Sequence, residues 1–565
     1  MRKLFIALFA LVLAGGIQAK PVEELTALAA YFPADTQVFA AIRADDGYAE
    51  TLNGVLARID QNTGGDLLTD DMIIPSIKDL LGQFLFEDMS WVGETAAIGL
   101  VDVMQQTAVI AFEIGDPTGV ELFIEDVFFG MADVTEGDGY TIYSNGSEQF
   151  LVTDEVVLTS NIDLVTLFEQ ESSLAASSDF TNAFDLLPND RYNIALYINS
   201  SALNTSLMNN MTDMDEFNNL MPMFESGGNV AVGFTILNGR DLVIDVAVDE
   251  VILPLGLIPP AQNPINLDFA QHIPGNAQLV IHDNNLSGDV LYSFEAMNVL
   301  GPVLQELIET FAEMDNADTF GLDVSTINFG GLTKNAIIPI FAGLTGLNLE
   351  DDVLSWMTGD YALTLSLIQV PDPIGFTLDG AFIVEATEAE AAANVVSQLG
   401  RAAELYGLAG VSMDDDVVVL GDLLPSLLEA GGLPADILDE SPSLDFLIAS
   451  NDDVFAFGSR PAVTFALDPQ AFTLADHPDF QHAASLFLPE TQTVFYIGTD
   501  GLVEALPALN VLGLRPEEIQ QVQFLLAQVE SLTISGVQLD ESSVVTRLTL
   551  SIPEQVDLPA LTTGN

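Results

Sequence analysis

Cysteine is absent from all 565 residues. A chain without it cannot be a disulfide-stapled scaffold, and it has no N-terminal cysteine to carry a lipid. Positive charge is nearly missing too: 13 Lys and Arg stand against 84 Asp and Glu, for a formal net charge of −71. A nucleic-acid partner needs a cationic footprint, and none exists here. Anionic membrane surfaces are disfavoured for the same reason. No internal apolar run reaches membrane-spanning length without a charge or a proline. Yet the hydrophobic fraction is 49% and the mean hydropathy is +0.36, so the apolar residues belong in a large core, a cavity or an interface. The acidic residues then read as a solvated coat that keeps an apolar-rich chain dispersed.

Catalytic signatures are also scarce. There is no Gly-x-Ser-x-Gly elbow, no His-Glu-x-x-His and no phosphate loop. The only ordinary neutral-pH bases are four histidines: His272, His282, His477 and His482. His477 and His482 are five apart and do not form an i, i+4 pair. Carboxylate pairs of the glycosidase kind cannot be singled out among so many acids.

What is present begins with the N-terminus. Arg2 and Lys3 precede an apolar run from Leu4 to Leu13, and Ile17-Gln18-Ala19 ends in a small residue suited to cleavage. Residues 1–19 read as a signal peptide, too short for a permanent anchor. The expected product is exported, periplasmic or extracellular, with no stable membrane anchor.

Two tryptophans, Trp91 and Trp356, fall at matching places in two copies of one pattern. Each copy opens on a proline turn (Phe32-Pro33-Ala34; Ile273-Pro274-Gly275) before a strand, Gln37 to Arg43 or Gln278 to His282. A helix follows, near Tyr48 to Ile59 and Val290 to Met314. Thr63-Gly64-Gly65-Asp66-Leu67 matches Thr345-Gly346-Leu347-Asn348-Leu349 and reads as a helix start. Trp91-Val92-Gly93-Glu94 matches Trp356-Met357-Thr358-Gly359-Asp360. Asp116-Pro117 opens a helix in one copy, and Thr387-Glu388-Ala389-Glu390 has capping-box form in the other. Leu174-Ala175-Ala176-Ser177-Ser178-Asp179-Phe180 aligns with Leu474-Ala475-Asp476-His477-Pro478-Asp479-Phe480, followed in each by Leu-Pro and a Tyr-Ile strand. Each copy ends in two adjacent strands, the first pair joined by Asn238-Gly239, a hairpin signal.

The expected organisation is a signal peptide (1–19), a first α+β half (20–250), a Pro-rich linker (251–268), a second α+β half (269–555) and a C-terminal tail (556–565). Hairpins and meanders imply mostly antiparallel sheets with packed helices, which excludes a dinucleotide-type sheet. The ordered motifs over most of the chain resemble an exported bacterial family known as domain of unknown function number 3352. That resemblance implies export, and it supplies no catalytic residues.

Two local features are candidate sites. Asp60, Asn62, Asp66 and Asp71 occupy positions one, three, seven and twelve of a loop of calcium-binding form, with Gly65 at the tight turn. Position five is Gly64 and the second copy lacks these ligands, so calcium is the one cofactor candidate and an incomplete one. Met208, Met211, Met214, Met221 and Met223 make a methionine-rich stretch suited to an apolar partner. The tryptophans read as core plugs between helix and strand. Asp414-Asp415-Asp416 and Glu350-Asp351-Asp352 read as solvated turns. The functional reading is a non-catalytic exported protein that binds or scaffolds an unknown protein or polymer. A carrier of an apolar ligand such as lipid is the alternative, and a carboxylate- or cation-dependent hydrolase the second.

Overall fold

The computed structural model describes residues 19–62, 74, 76–169 except 85, 87 and 147, 172–210, 228–249, 262–296, 334–369, 376–406, 411–414, 417–422, 445–469, 472–506, 519, 522–523 and 526–554 except 541. The chain divides into two compact units, one of residues 1–252 with 538–565, the other of residues 253–537. Both are α+β, and every pairing described below is antiparallel.

In the first unit the strands are β1 (Val38–Arg43), β2 (Val92–Asp102), β3 (Thr107–Ile114), β4 (Asp133–Glu136), β5 (Thr141–Ser144), β6 (Gln149–Val152), β7 (Val156–Ser160), β8 (Ile194–Ile198), β9 (Asn229–Leu237) and β10 (Asp241–Asp249). They pair in the order β10-β9-β8-β1-β2-β3-β7-β6-β5-β4. The second unit contains β11 (Leu279–Asn284), β12 (Asp360–Gln369), β13 (Phe376–Glu385), β14 (Ser412–Asp414), β15 (Val417–Asp422), β16 (Asp445–Ser450), β17 (Val454–Ser459), β18 (Thr493–Gly498) and β19 (Ser531–Gln538). Their order is β19-β18-β11-β12-β13-β17-β16-β15-β14. Strand for strand this repeats the order β9-β8-β1-β2-β3-β7-β6-β5-β4.

The last strand, β20 (Val544–Ser551), corrects the expected boundaries. It pairs with β10 of the first unit, Asp245 opposite Arg547, so 269–555 is not one compact body. The reason is chemical. Arg547 donates from Nε and Nη2 to the two carboxylate oxygens of Asp245 at 2.7 and 3.0 Å, and Tyr192 Oη and Asn189 Nδ2 donate to the same carboxylate. Four donors thus satisfy a carboxylate in a fully buried place.

Helices cover the Trp end of one sheet face in each unit. Asp116 accepts from Thr118 N to cap the helix Pro117–Val127, with proline in its first turn. Trp91, 1% exposed, packs against Phe112 and Phe123 at 5.6 and 5.0 Å. Trp356, 0% exposed, packs against Phe455 at 5.7 Å. Burying a ring of this size removes roughly 150–250 Å² from water, on the order of 4–6 kcal/mol each. The Trp91 carbonyl accepts from the N–H groups of Gly115 and Asp116 just before one helix, and the Trp356 carbonyl accepts from the Thr387 hydroxyl just before another, Ala389–Tyr406.

The opposite face holds a second layer. In the first unit Phe32, Phe39, Phe180 and Tyr197 form a chain of edge-on rings 5.0–5.6 Å apart. In the second, Val280, Ala381, Ala456, Tyr496 and Phe480 pack with the helices Arg460–Leu467 and Pro478–Ala484. Asn238 and Gly239 have φ of 56° and 67°, the left-handed pair a two-residue hairpin turn requires, for which Asn-Gly is suited.

The Thr-Gly-x-Asn motif starts a helical turn at its asparagine, and its Thr-Gly closes the helix before it. Thr345 ends the helix Lys334–Thr345, and Gly346 (φ 77°) closes it in the left-handed conformation that a Cβ would oppose. The start lies two residues on: Asn348 Oδ1 accepts from Glu350 N at 3.0 Å and opens the turn Leu349–Val353.

Candidate functional site

Correspondence between the units can be read from backbone bonds. Pro33 bridges Ser173, and Pro274 bridges Thr473. Leu174 N donates to Phe32 O, and Leu474 N to Ile273 O. Tyr197 lies opposite Phe39, and Tyr496 opposite Val280. Gln37 and Gln278 make equivalent bonds. Gln37 Oε1 accepts from Val103 N at 2.9 Å, and Gln278 Oε1 accepts from Leu367 N at 3.0 Å.

At this place the second unit has a cleft of about 370 Å³. Its polar lining includes Gln278, His477, Asp479, Tyr496 and Asp500, and its apolar wall includes Phe472 and Leu367. Thr473 and Asp476 form a capping box that fixes the short turn carrying His477 and Asp479. Phe472 lies on Gly275, where an added Cβ would come within 2.3 Å of the ring. Gly501 has the same function toward Gln278, with a Cβ there only 2.5 Å from Nε2. His477 sits beside Phe472 with ring centroids 5.5 Å apart, and its buried Nδ1 has no hydrogen-bond partner among the described residues. Burial, with the charges of Asp479, Asp500 and Glu530, pushes the Tyr496 phenol up, so it stays protonated.

In the first unit the matching tyrosine is bonded within the core. Tyr197 Oη donates to Asn229 Oδ1 at 3.2 Å. The residue matching Asn229 is Ser531, because Ser531 faces Gly498 as Asn229 adjoins the partner of Ile198. Serine is shorter, and Ser531 Oγ is buried without a partner among the described residues. Ala34, Ser172 and Ser177 occupy the places of Gly275, Phe472 and His477, and serines 200 and 201 open the helix that Asp500 opens in the second unit.

His282 and His272 are bonded within the fold. His282 Nε2 lies 3.2 Å from Asp360 Oδ2, and that carboxylate also accepts from Asn284 Nδ2 and Asn266 N. His272 Nδ1 lies 3.0 Å from the carbonyl of Ala466. Asp283 is raised to about 6, chiefly by burial, with the neighbouring Asp289 adding to it. Asp289 accepts from Tyr361 Oη at 2.9 Å and is itself raised by burial.

The sequence candidates are only partly in view. Asp60 and Asn62 lie in the helix Asp46–Asn62, while Asp66 and Asp71 fall outside the described residues. No group of three or more His, Asp or Glu side chains that could hold a metal ion occurs among the described residues. Met208 lies in the helix Ser200–Asn210; Met211, Met214, Met221 and Met223 fall outside the described residues. So do residues 1–18, the continuation of the second helix beyond 296, and Asp415 and Asp416. Among the described residues no helix is long and apolar enough to cross a membrane. Motif reading alone does not find the cleft, although the contrast of His477 with Ser177 points to it.

Fold and site together define an antiparallel α+β protein with an open polar and aromatic cleft. The chain belongs to the family described as protein of unknown function (DUF3352), whose model matches residues 89–552. No curated protein matches it. Among solved structures, crystal form I of TP0453 is similar at a TM-score of 0.21 and 9% identity, over 39% of this chain and 77% of that one. Crystal form IV of TP0453 gives 0.22 and 11%, over 41% and 81%. TM-scores this low define no shared fold.

Proposed function

We propose that this chain is an exported, non-catalytic binding or scaffolding protein, built by tandem duplication of one α+β unit, whose second copy holds the ligand. One observation carries the reading: a cleft lined by His477, Asp479 and Asp500 lies beside Tyr496, whereas the matching Tyr197 is bonded to Asn229. Pockets of this size with a few convergent polar groups are where small ligands bind. The matching strand orders support the duplication, and the charged start with its apolar run supports export.

The test is native mass spectrometry of the full chain secreted from its own signal. The expected result is a mature N-terminus at Lys20 and a bound small molecule that is lost when Phe472→Ser and His477→Ser import the first unit's residues. Retention of the adduct by that variant would remove the cleft from the account. A chelator arm reports on calcium at the loop that begins with Asp60.

A second reading, a carrier of an apolar ligand such as lipid, has its own support. Leu363, Leu365 and Phe457 are 44%, 39% and 38% exposed on one sheet face, beside Ile281 and Phe382 in register. An adduct of lipid mass, displaced by detergent and insensitive to the cleft variant, would favour it.

A further inference from the structure

We infer that the cleft of the second unit binds a small alkyl primary amine, its ammonium group held by Asp479, Asp500 and His477 and its chain laid on Phe472. The assignment rests on the cleft being a ligand site, and it adds the ligand's chemistry.

The polar groups on the wall are mostly acceptors. Two carboxylates supply full negative charge, and the His477 ring lines the wall beside them. A primary ammonium has three donors and no acceptor, so it complements this set. Among the described residues no Lys or Arg lines the cleft. The starts of two short helices face it and contribute about half a positive charge each, which two carboxylates outweigh. An anion is therefore disfavoured. Phe472, 53% exposed, presents a ring that attracts a cation and covers an alkyl chain. Leu367 and Ile368 continue that apolar wall.

The differences between the units converge on the same chemistry. Phe472, His477 and Asp500 each replace a serine, and Gly275 replaces the alanine whose Cβ would strike the Phe472 ring. Glycine and phenylalanine are thus a matched pair here, as alanine and serine are in the first unit. Ser531, 1% exposed, stands opposite Gly498 on the side of the sheet that Tyr496 occupies. It withdraws the partner that Asn229 gives Tyr197, and Tyr496, itself 1% exposed, is among the residues that border the cleft.

The experiment is isothermal titration of the full chain with n-butylammonium, with n-butanol and tetramethylammonium as controls. Butylammonium should bind at least about tenfold more tightly than the alcohol, which lacks the charge, or tetramethylammonium, which lacks N–H donors. His477→Ser/Asp500→Ser should weaken it by about tenfold or more, and Asp500→Asn alone by less. Circular dichroism checks that each variant is folded, and Ser531→Asn, which restores a Tyr496 partner without touching the carboxylates, gives an independent variant expected to weaken binding. Equal binding by the double variant would mean counterion attraction to an acidic surface and would overturn the proposal. If butylammonium fails to bind while a mass adduct still depends on Phe472 and His477, the ammonium assignment falls and the cleft reading stands. If neither depends on the cleft, both fall.

Discussion

Around Tyr197 the first unit is filled with rings, while around the equally buried Tyr496 the second keeps one ring and has a cleft beside it. Phe32 and Phe39 of the first become Ile273 and Val280, and only the edge-on pair Phe180–Tyr197 persists, as Phe480–Tyr496 at 5.2 Å. The strand order does not change. The sheet therefore fixes where the tyrosine stands, and a handful of residues at the strand ends decide whether its surroundings are core or cleft. A frame stabilised by ladder bonds and Trp-centred packing tolerates that exchange because neither depends on the residues exchanged.

The largest expected effect separates the units outright. Arg547→Met leaves Asp245 buried without its cation and should cost about 3–5 kcal/mol. Replacing both partners, Asp245→Leu with Arg547→Met, should recover most of it, because two apolar side chains leave no orphaned charge. Hydrogen exchange measures this by region: protection should fall in β8 to β10 and β20 while β11 to β13 keep theirs. Equal loss in both regions would show that the units are not separate cooperative bodies and would break the comparison.

The two tryptophans give a finer contrast. Trp356 Nε1 donates to the carbonyl of Asp352 at 3.2 Å, whereas Trp91 Nε1 is buried without a partner among the described residues. Phenylalanine at either place leaves a similar void, but only at 356 does it also remove a hydrogen bond. Trp356→Phe should therefore be more destabilising than Trp91→Phe by about 1 kcal/mol in urea denaturation followed by circular dichroism. The reverse order would mean that the Trp91 indole finds a partner in solution.

A smaller effect tests the matched pair at the cleft. Gly275→Ala should cost about 1 kcal/mol, since the new Cβ must push the Phe472 ring aside. In a Phe472→Ser background the same change should be nearly neutral, and the double-mutant cycle isolates the coupling. A full-sized penalty in both backgrounds would place the clash on the Phe472 carbonyl, 2.9 Å away, and not on its ring.

Much of the molecule is legible where short-range chemistry decides. Asn238-Gly239 announces its hairpin, Asp116-Pro117 its helix, and the repeated tryptophans their place in the core. What is illegible depends on partners far apart in the chain. Nothing local to Val544–Ser551 says that it pairs with Asp241–Asp249, where Arg547 meets the buried Asp245. Thr345-Gly346-Leu347-Asn348 announces the start made by its asparagine but not the end made by its glycine, which closes the preceding helix. The cleft requires Gly275 and Phe472 to be considered together, and they lie far apart in the chain. Ala34 and Ser172, their counterparts, carry no signal of their own.

The smallest effect concerns pH. Asp283 of β11 stands where β1 has Ile42, and burial raises its carboxyl to about 6 from an ordinary 3.8. A carboxyl that holds its proton more tightly folded than unfolded contributes stability that is complete below about 4 and is lost as pH rises through about 6. The second unit should therefore weaken between about pH 4 and 6 by more than the first, over whatever slope the acidic surface imposes on both. In a Trp91→Phe background the remaining indole, Trp356, reports the second unit alone. Its thermal midpoint should fall across that window, and Asp283→Asn should flatten the fall. An unchanged slope in the variant would show that Asp283 is charged and solvated within that window, and that Asp289 and Tyr361 beside it form the pH-sensitive part of β11's surroundings.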